Sequence, residues 1–312
     1  MGQVQTFTMP GTDLVVPEVI LGMMRILEKS DTEIQNLVSA ALEVGISFFD
    51  HAAIYGGLHG CEKRFAEAVN YAPAMREKMI LQSKCGIDPA GPFFDFSYDH
   101  IMKSVDESLV ALGTDYLDIL LLHRPDALVE PEEVARAFDE LQDAGKVRYF
   151  GVSNQQPGQI ELLKTAVKQP LIANQVQLSI THANVIAQGV AINMNALDQS
   201  IDRDNGVVDY CRIHDITLQA WSPFQAGFFD GPFIGSEKYP ELNEVLNRLA
   251  AEKGVTPDAV AVAWILRHPA NWQVVLGTTQ PSRVRDAAAG SGLELTRPEW
   301  YELFRAAGHA VP

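Results

Sequence analysis

The chain is poor in cysteine and in positive charge, and it has no long apolar run. Its three cysteines, Cys61, Cys85 and Cys211, are odd in number and far apart, and none forms a CxxC pair. That excludes a disulfide framework and a cysteine zinc site, and free thiols suit a reducing compartment. No other metal site is expected. Lysine and arginine number 24 against 40 acids, a formal charge of −16 over 312 residues. So acidic a surface argues against nucleic acid or an anionic membrane as the partner. No run approaches the ~18 apolar residues of a membrane helix. The first residues, MGQVQTFTMPGTDL, lack the basic start and apolar core of a secretory signal. The expectation is a cytoplasmic protein, monomeric or a small homo-oligomer. Repeats, low-complexity tracts and Pro/Ser-rich linkers are also missing, so residues 1–312 read as one domain. No G-x-G-x-x-G links a strand to a helix, which argues against a Rossmann dehydrogenase.

What the chain does have is one alternation from end to end. Short apolar runs rich in β-formers occur at 19–23, 47–51, 80–85, 116–123, 149–154, 173–179, 217–223 and 274–278. Most are continuous rather than alternating, as parallel strands covered on both faces should be. Amphipathic stretches separate them. Ser30 or Asp31 caps one whose apolar face uses Ile34, Leu37, Val38, Ala41 and Leu42, and Gly45 stops it. Another runs from Asp99 to Gly113, and Pro131 opens a third at a tolerated first-turn position. Eight such units predict an α/β fold, a single-domain (β/α)8 TIM barrel. Two connections are long, 180–206 after the sixth barrel strand and 224–256 after the seventh, the latter with a helix near 240–253. Long loops at one end of a barrel are usually functional.

Each apolar run hands over to a polar or aromatic residue at the same end. These residues are Asp50 with Tyr55 in the loop beyond, Lys84, His123, Ser153 and Asn154, Gln175, and Trp221 with Ser222. Singly, a strand-end aspartate is more often a turn cap and a lone histidine a satisfied core residue. Together, Asp50, Tyr55, Lys84 and His123 form a coherent acid–base set. An ammonium beside a tyrosine favours tyrosinate, and a carboxylate holds the ammonium in place. A histidine can hydrogen-bond the oxygen of a bound carbonyl. None of the four carries a hydride; a nicotinamide cofactor would supply it.

The blocks FFDHAAIYGG, LQSKCG, LLLHRPD, FGVSN, NQVQ, AWSP and VLGTTQPSRVRDA, in this order, resemble the aldo-keto reductase family, most closely its bacterial YdhF-type branch. The resemblance covers about residues 17–291. It implies Tyr55 as general acid, tuned by Lys84 and Asp50, with His123 positioning the carbonyl of a small aldehyde or ketone. It implies an NADPH site in which Asp50, Ser153, Asn154 and Gln175 lie near the nicotinamide and Trp221 stacks on its ring. Ser222, Pro223 and Phe224 would follow the pyrophosphate, and Gly22 and Met23 the ribose. Family members often carry Lys-Ser after the eighth strand, then an arginine, a glutamate and an asparagine. Here Gly277, Thr278, Thr279, Arg283, Asp286 and Ala287 occupy that block. Arg283 would grip the 2′-phosphate, but the missing lysine weakens the preference over NADH. The resemblance also leaves a different class open, a cofactor-binding regulatory protein like potassium-channel β-subunits; the complete set of four favours turnover. A barrel glycosidase needs two facing strand-end carboxylates, and beyond Asp50 there is only Asp118, inside a strand.

Overall fold

Eight parallel strands pair side by side until the last meets the first, so that no sheet edge remains. This computed structural model describes residues 3–228 and 230–312. The barrel strands are β1 (Val19–Gly22), β2 (Phe48–Asp50), β3 (Ile80–Cys85), β4 (Leu117–Leu122), β5 (Val147–Ser153), β6 (Leu171–Gln177), β7 (Thr217–Trp221) and β8 (Trp272–Leu276). All eight expected runs are strands, with β5, β6 and β8 starting about two residues earlier than the apolar runs suggest. The capping signals hold as well. Ser30 and Glu33 form a reciprocal capping box on the helix Asp31–Glu43. Ser97 caps Tyr98–Leu112, which ends on left-handed Gly113, and Pro131 opens Pro131–Asp143.

The connection after β6 contains the helices Asn184–Val190 and Val207–Ile213, and that after β7 the helices Pro240–Lys253 and Pro257–Leu266. Two antiparallel hairpins lie outside the barrel sheet, Thr6–Thr8 with Val15–Pro17, and Ile87–Asp88 with Phe93–Phe94. Neither is readable from the apolar runs, because each strand has only two or three residues. The first closes one end of the barrel. Its Met9, Leu14 and Val16 pack on Ile20, Phe48, Ile80, Ile119, Leu121 and Val275 in the lumen.

Alternation along the strands stacks the lumen in levels. Above Phe48 and Ile80 comes Asp50, in register with Gln82, and Lys84 stands one step higher beside Leu121. Gln175 is in register with Gln219, and Gln219 with Gln273. The lower lumen is therefore apolar, the middle is lined by amides and one carboxylate, and the upper rim carries charge.

Candidate active site

The segment after β2 builds the site by running on beside β3 before it turns. His51 N donates to Gln82 O at 2.8 Å and Ala53 N to Lys84 O at 3.0 Å; Tyr55 N then donates back to Ala52 O at 3.0 Å. The turn brings Tyr55 over the end of β3. Gly56 completes it with φ +70°, and a Cβ there would lie 2.8 Å from Cys61 Sγ, so both backbone and space demand glycine.

Lys84 is the hub. Its Nζ lies 2.7 Å from each oxygen of Asp50, 2.8 Å from His51 O and 3.3 Å from Tyr55 Oη. The lysine is 1% exposed and Asp50 2%. Burial opposes the ammonium charge, yet Asp50 and Tyr55, through charge and hydrogen bonds, together outweigh burial and raise the lysine pKa. Lys84 is thus a fixed cation. His123 N donates to Cys85 O at 2.9 Å, and its ring stands across that of Tyr55, centroids 5.9 Å apart and nearly perpendicular. Burial, together with the cations Lys84 and Arg124, holds the His123 pKa well below the ordinary histidine value.

One expectation is reversed. Lys84 was expected to lower the tyrosine pKa, but that of Tyr55 is raised, because burial outweighs Lys84 and the Asp50 charge adds to burial. The phenol is fully protonated at neutral pH.

Beneath Asp50 lies a set of amides of which the sequence motifs announce only Gln175. Gln82 Nε2 donates to Asp50 Oδ1 at 2.6 Å and to Gln219 Oε1 at 2.9 Å. Gln175 Nε2 donates to the same two oxygens at 3.1 and 3.0 Å. Gln219 Nε2 reaches Gln82 and Gln273, each at 3.1 Å, and Gln273 Nε2 ends on Pro17 O at 2.7 Å. This chain of amides gives Asp50 Oδ1 two further donors besides Lys84. Behind the site, buried Glu62 accepts from Ser83 Oγ and pairs with His59 Nδ1, each at 2.5 Å, and so ties the loop after Tyr55 to the back of β3. Inward-facing glutamines and a helix glutamate resemble ordinary polar residues until the register is known.

The remaining expected residues form a shelf around the same mouth. Ser153 Oγ donates to Gln175 O at 2.9 Å, and Asn154 Nδ2 to Ser153 Oγ at 2.8 Å and His123 O at 3.3 Å. Trp221 Nε1 donates to Asn154 Oδ1 at 3.1 Å. Asn154 (φ 58°) and Ser222 (φ 55°) are left-handed, which turns the chain sharply at the strand ends. Pro223 is buried, while Ser222 and Phe224 are half-buried at the rim. Gly22 sits at the seam with β8, where a Cβ would meet Leu276 O at 2.9 Å. Met23 is buried, and its N–H is engaged by Asp50 O at 2.9 Å. Gly277, Thr278 and Thr279 follow β8 at the same end, with Asp286 further along the helix Pro281–Ala288. Arg283, in the first turn of that helix, is not free: its guanidinium lies 3.1 Å from Asp258. The shelf offers an aromatic face, hydroxyls, amides and one exposed guanidinium around a mouth that ends on Tyr55. These groups suit a nicotinamide dinucleotide phosphate.

Asp118 takes no part. It is buried between Arg76 (3.0 Å) and Arg148 (3.1 Å) and accepts from Leu81 N at 2.9 Å, which leaves the glycosidase reading without its second acid. Cys85 faces the outer core, and burial pushes its pKa up to about 12, as its alternation with Lys84 implies. Of the aromatics at 93–96, Phe96 is buried and Phe93 and Phe94 are exposed.

The family model of the aldo/keto reductase family matches residues 18–306. The chain belongs to that family. As an aldo/keto reductase it is similar to the 6-dehydroglucose reductase of Agrobacterium fabrum, 35% identical over 93% of this chain and 94% of that one. It is also similar to the oxidoreductase YdhF of Escherichia coli, 34% identical over 94% of each. Among solved structures, a Bombyx mori aldo-keto reductase in complex with NADP superposes with a TM-score of 0.76 at 21% identity, covering 100% of this chain and 96% of that one. That likeness attests the fold. No helix among the described residues is long and apolar enough to cross a membrane.

Because burial and two cations all oppose the imidazolium, the His123 ring stays neutral where an ordinary histidine is half-protonated, near pH 6.5. In a ring-nitrogen NMR titration of this aldo/keto reductase, the His123 signal is expected to stay flat from pH 8 down to pH 5.5. A midpoint near 6.5 would contradict the electrostatics described above.

Proposed function

We propose that this chain is an NADPH-dependent oxidoreductase that reduces an aldehyde or ketone to an alcohol, with Tyr55 as the proton donor. The observation that carries the reading is Tyr55 Oη set 3.3 Å from a lysine that Asp50 holds with both oxygens. When bound, the reduced nicotinamide supplies the hydride that no side chain here can. Ser153, Asn154 and Gln175 would hold its carboxamide and Trp221 its ring, with Gly22 and Met23 beside the ribose. Ser222, Pro223 and Phe224 would lie along the pyrophosphate, and Gly277, Thr278, Thr279, Arg283 and Asp286 around the adenosine phosphate.

The chain's own residues then divide the work. Neutral His123 donates an N–H to the carbonyl oxygen, orienting it and accepting its growing charge. Tyr55, protonated at neutral pH, gives its proton to that oxygen as the C–O bond gains charge. The tyrosinate left behind lies beside a cation that cannot move away, so Lys84 stabilises the product of proton transfer rather than ionising the resting phenol. A relative named a 6-dehydroglucose reductase supports carbonyl reduction as the reaction class. The regulatory alternative keeps a cofactor shelf but needs no proton donor, so the complete donor assembly favours turnover.

Two substitutions test the assignment. Tyr55→Phe is expected to lower kcat by about 10²-fold or more while NADPH still binds, since it removes the acid and spares the shelf. If more than about a tenth of the wild-type kcat remains, Tyr55 is not the donor. Arg283→Ala is expected to weaken NADPH far more than NADH in a fluorescence titration. Asp258 competes for this guanidinium, but the guanidinium itself is exposed, where an ion pair is weak and exchangeable. Equal losses for the two cofactors would remove Arg283 from the 2′-phosphate.

A further inference from the structure

A cavity of about 380 Å³ opens beside the site on the β4–β7 side, with Asn154 and Trp221 in its wall. Two of its lining groups are donors without acceptors. Arg124, the residue after His123, is half-buried and makes no hydrogen bond or ion pair among the described residues; its guanidinium carbon lies 5.8 Å from the centre of the Trp221 ring. Gln177, at the end of β6, has a buried Nε2 with no partner among the described residues. A buried donor left without an acceptor is costly, and a half-buried guanidinium without a carboxylate is unusual in a chain of net charge −16. Phe228 packs edge-on to Trp221, centroids 6.1 Å apart, and gives the same wall an apolar surface.

Resting on the reductase reading above, we propose that Arg124 and Gln177 form a carboxylate subsite, so that the preferred substrates are aldehydes or ketones carrying a carboxylate. A carboxylate supplies only acceptors, takes the guanidinium fork with two oxygens, and can use a second donor beside it. Because Arg124 directly follows His123, the anionic end is held while the carbonyl end faces Tyr55, so remote binding energy orients the reacting group. One wall group opposes the charge. Asp204 also lines the cavity, with its pKa raised by burial and by neighbouring Asp202, while His182 and Arg203 on the same wall pull it down. If Asp204 dominated, the cavity would favour hydroxyl groups instead, and the test separates these outcomes.

The experiment measures kcat/KM with NADPH for 4-carboxybenzaldehyde, its methyl ester, 4-(hydroxymethyl)benzaldehyde and benzaldehyde, at low salt. The wild type is expected to prefer the acid over the methyl ester by about tenfold or more, mainly through KM. Arg124→Gln should bring that ratio to about 1, and Gln177→Leu should reduce it in the same direction. If the ester or the hydroxymethyl compound matches or exceeds the acid, or if Arg124→Gln leaves the ratio unchanged, the subsite is overturned while the reductase reading stands. Failure to oxidise NADPH with any of the four aldehydes would overturn both.

Discussion

A lysine ammonium enclosed in a barrel lumen is costly to desolvate, and the arrangement around Lys84 exists to keep it charged. Both Asp50 oxygens and a main-chain carbonyl surround its Nζ at 2.7–2.8 Å. Buried ion pairs of this kind add little net stability, but losing one partner typically costs ~3–5 kcal/mol, because the other is left unpaired. The pair is therefore better explained by the chemistry at its outer edge than by the fold. Asp50 needs support of its own, and the lumen supplies it through Gln82 and Gln175, which are held in turn by Gln219 and Gln273.

The same enclosure separates the roles of the groups at the mouth. Desolvation raises the Tyr55 pKa and lowers that of His123, and Lys84 pushes the His123 value further down. One group stays protonated and the other stays neutral, so at neutral pH the site holds an acid and a hydrogen-bond donor rather than two partly titrated groups. In the proposed reaction Lys84 would act on the charge that appears as Tyr55 gives up its proton. It does not produce a standing tyrosinate.

The fold was legible in the sequence because parallel strands covered on both faces must be continuously apolar, and helix caps and glycines mark what lies between. Asp50, Lys84 and His123 were legible because each interrupts an apolar run at the same end of a strand, and Tyr55 because it follows Asp50 in the loop beyond. The glutamine layer was not, beyond Gln175: Gln82, Gln219 and Gln273 join it only when the closed barrel brings residues 44 to 137 positions apart into contact. The direction of the Tyr55 shift was also missed. Counting charges registers Lys84 but not the desolvation that outweighs it. Arg283 was singled out by its place in the resemblance, whereas its contact with Asp258 depends on how two helices pack. The N-terminal hairpin gave no signal because strands of three residues have no period to detect.

The central claim is that a lysine pinned by Asp50 makes Tyr55 an effective proton donor. Lys84→Met tests it most directly, measured as the single-turnover rate of aldehyde reduction at saturating NADPH, with NADPH affinity measured alongside to establish that the site still forms. A fall of about 10²-fold or more in rate is expected, with the affinity changed by less than a few fold. A rate within about tenfold of wild type would mean that Tyr55 donates its proton without the lysine, and would contradict the account.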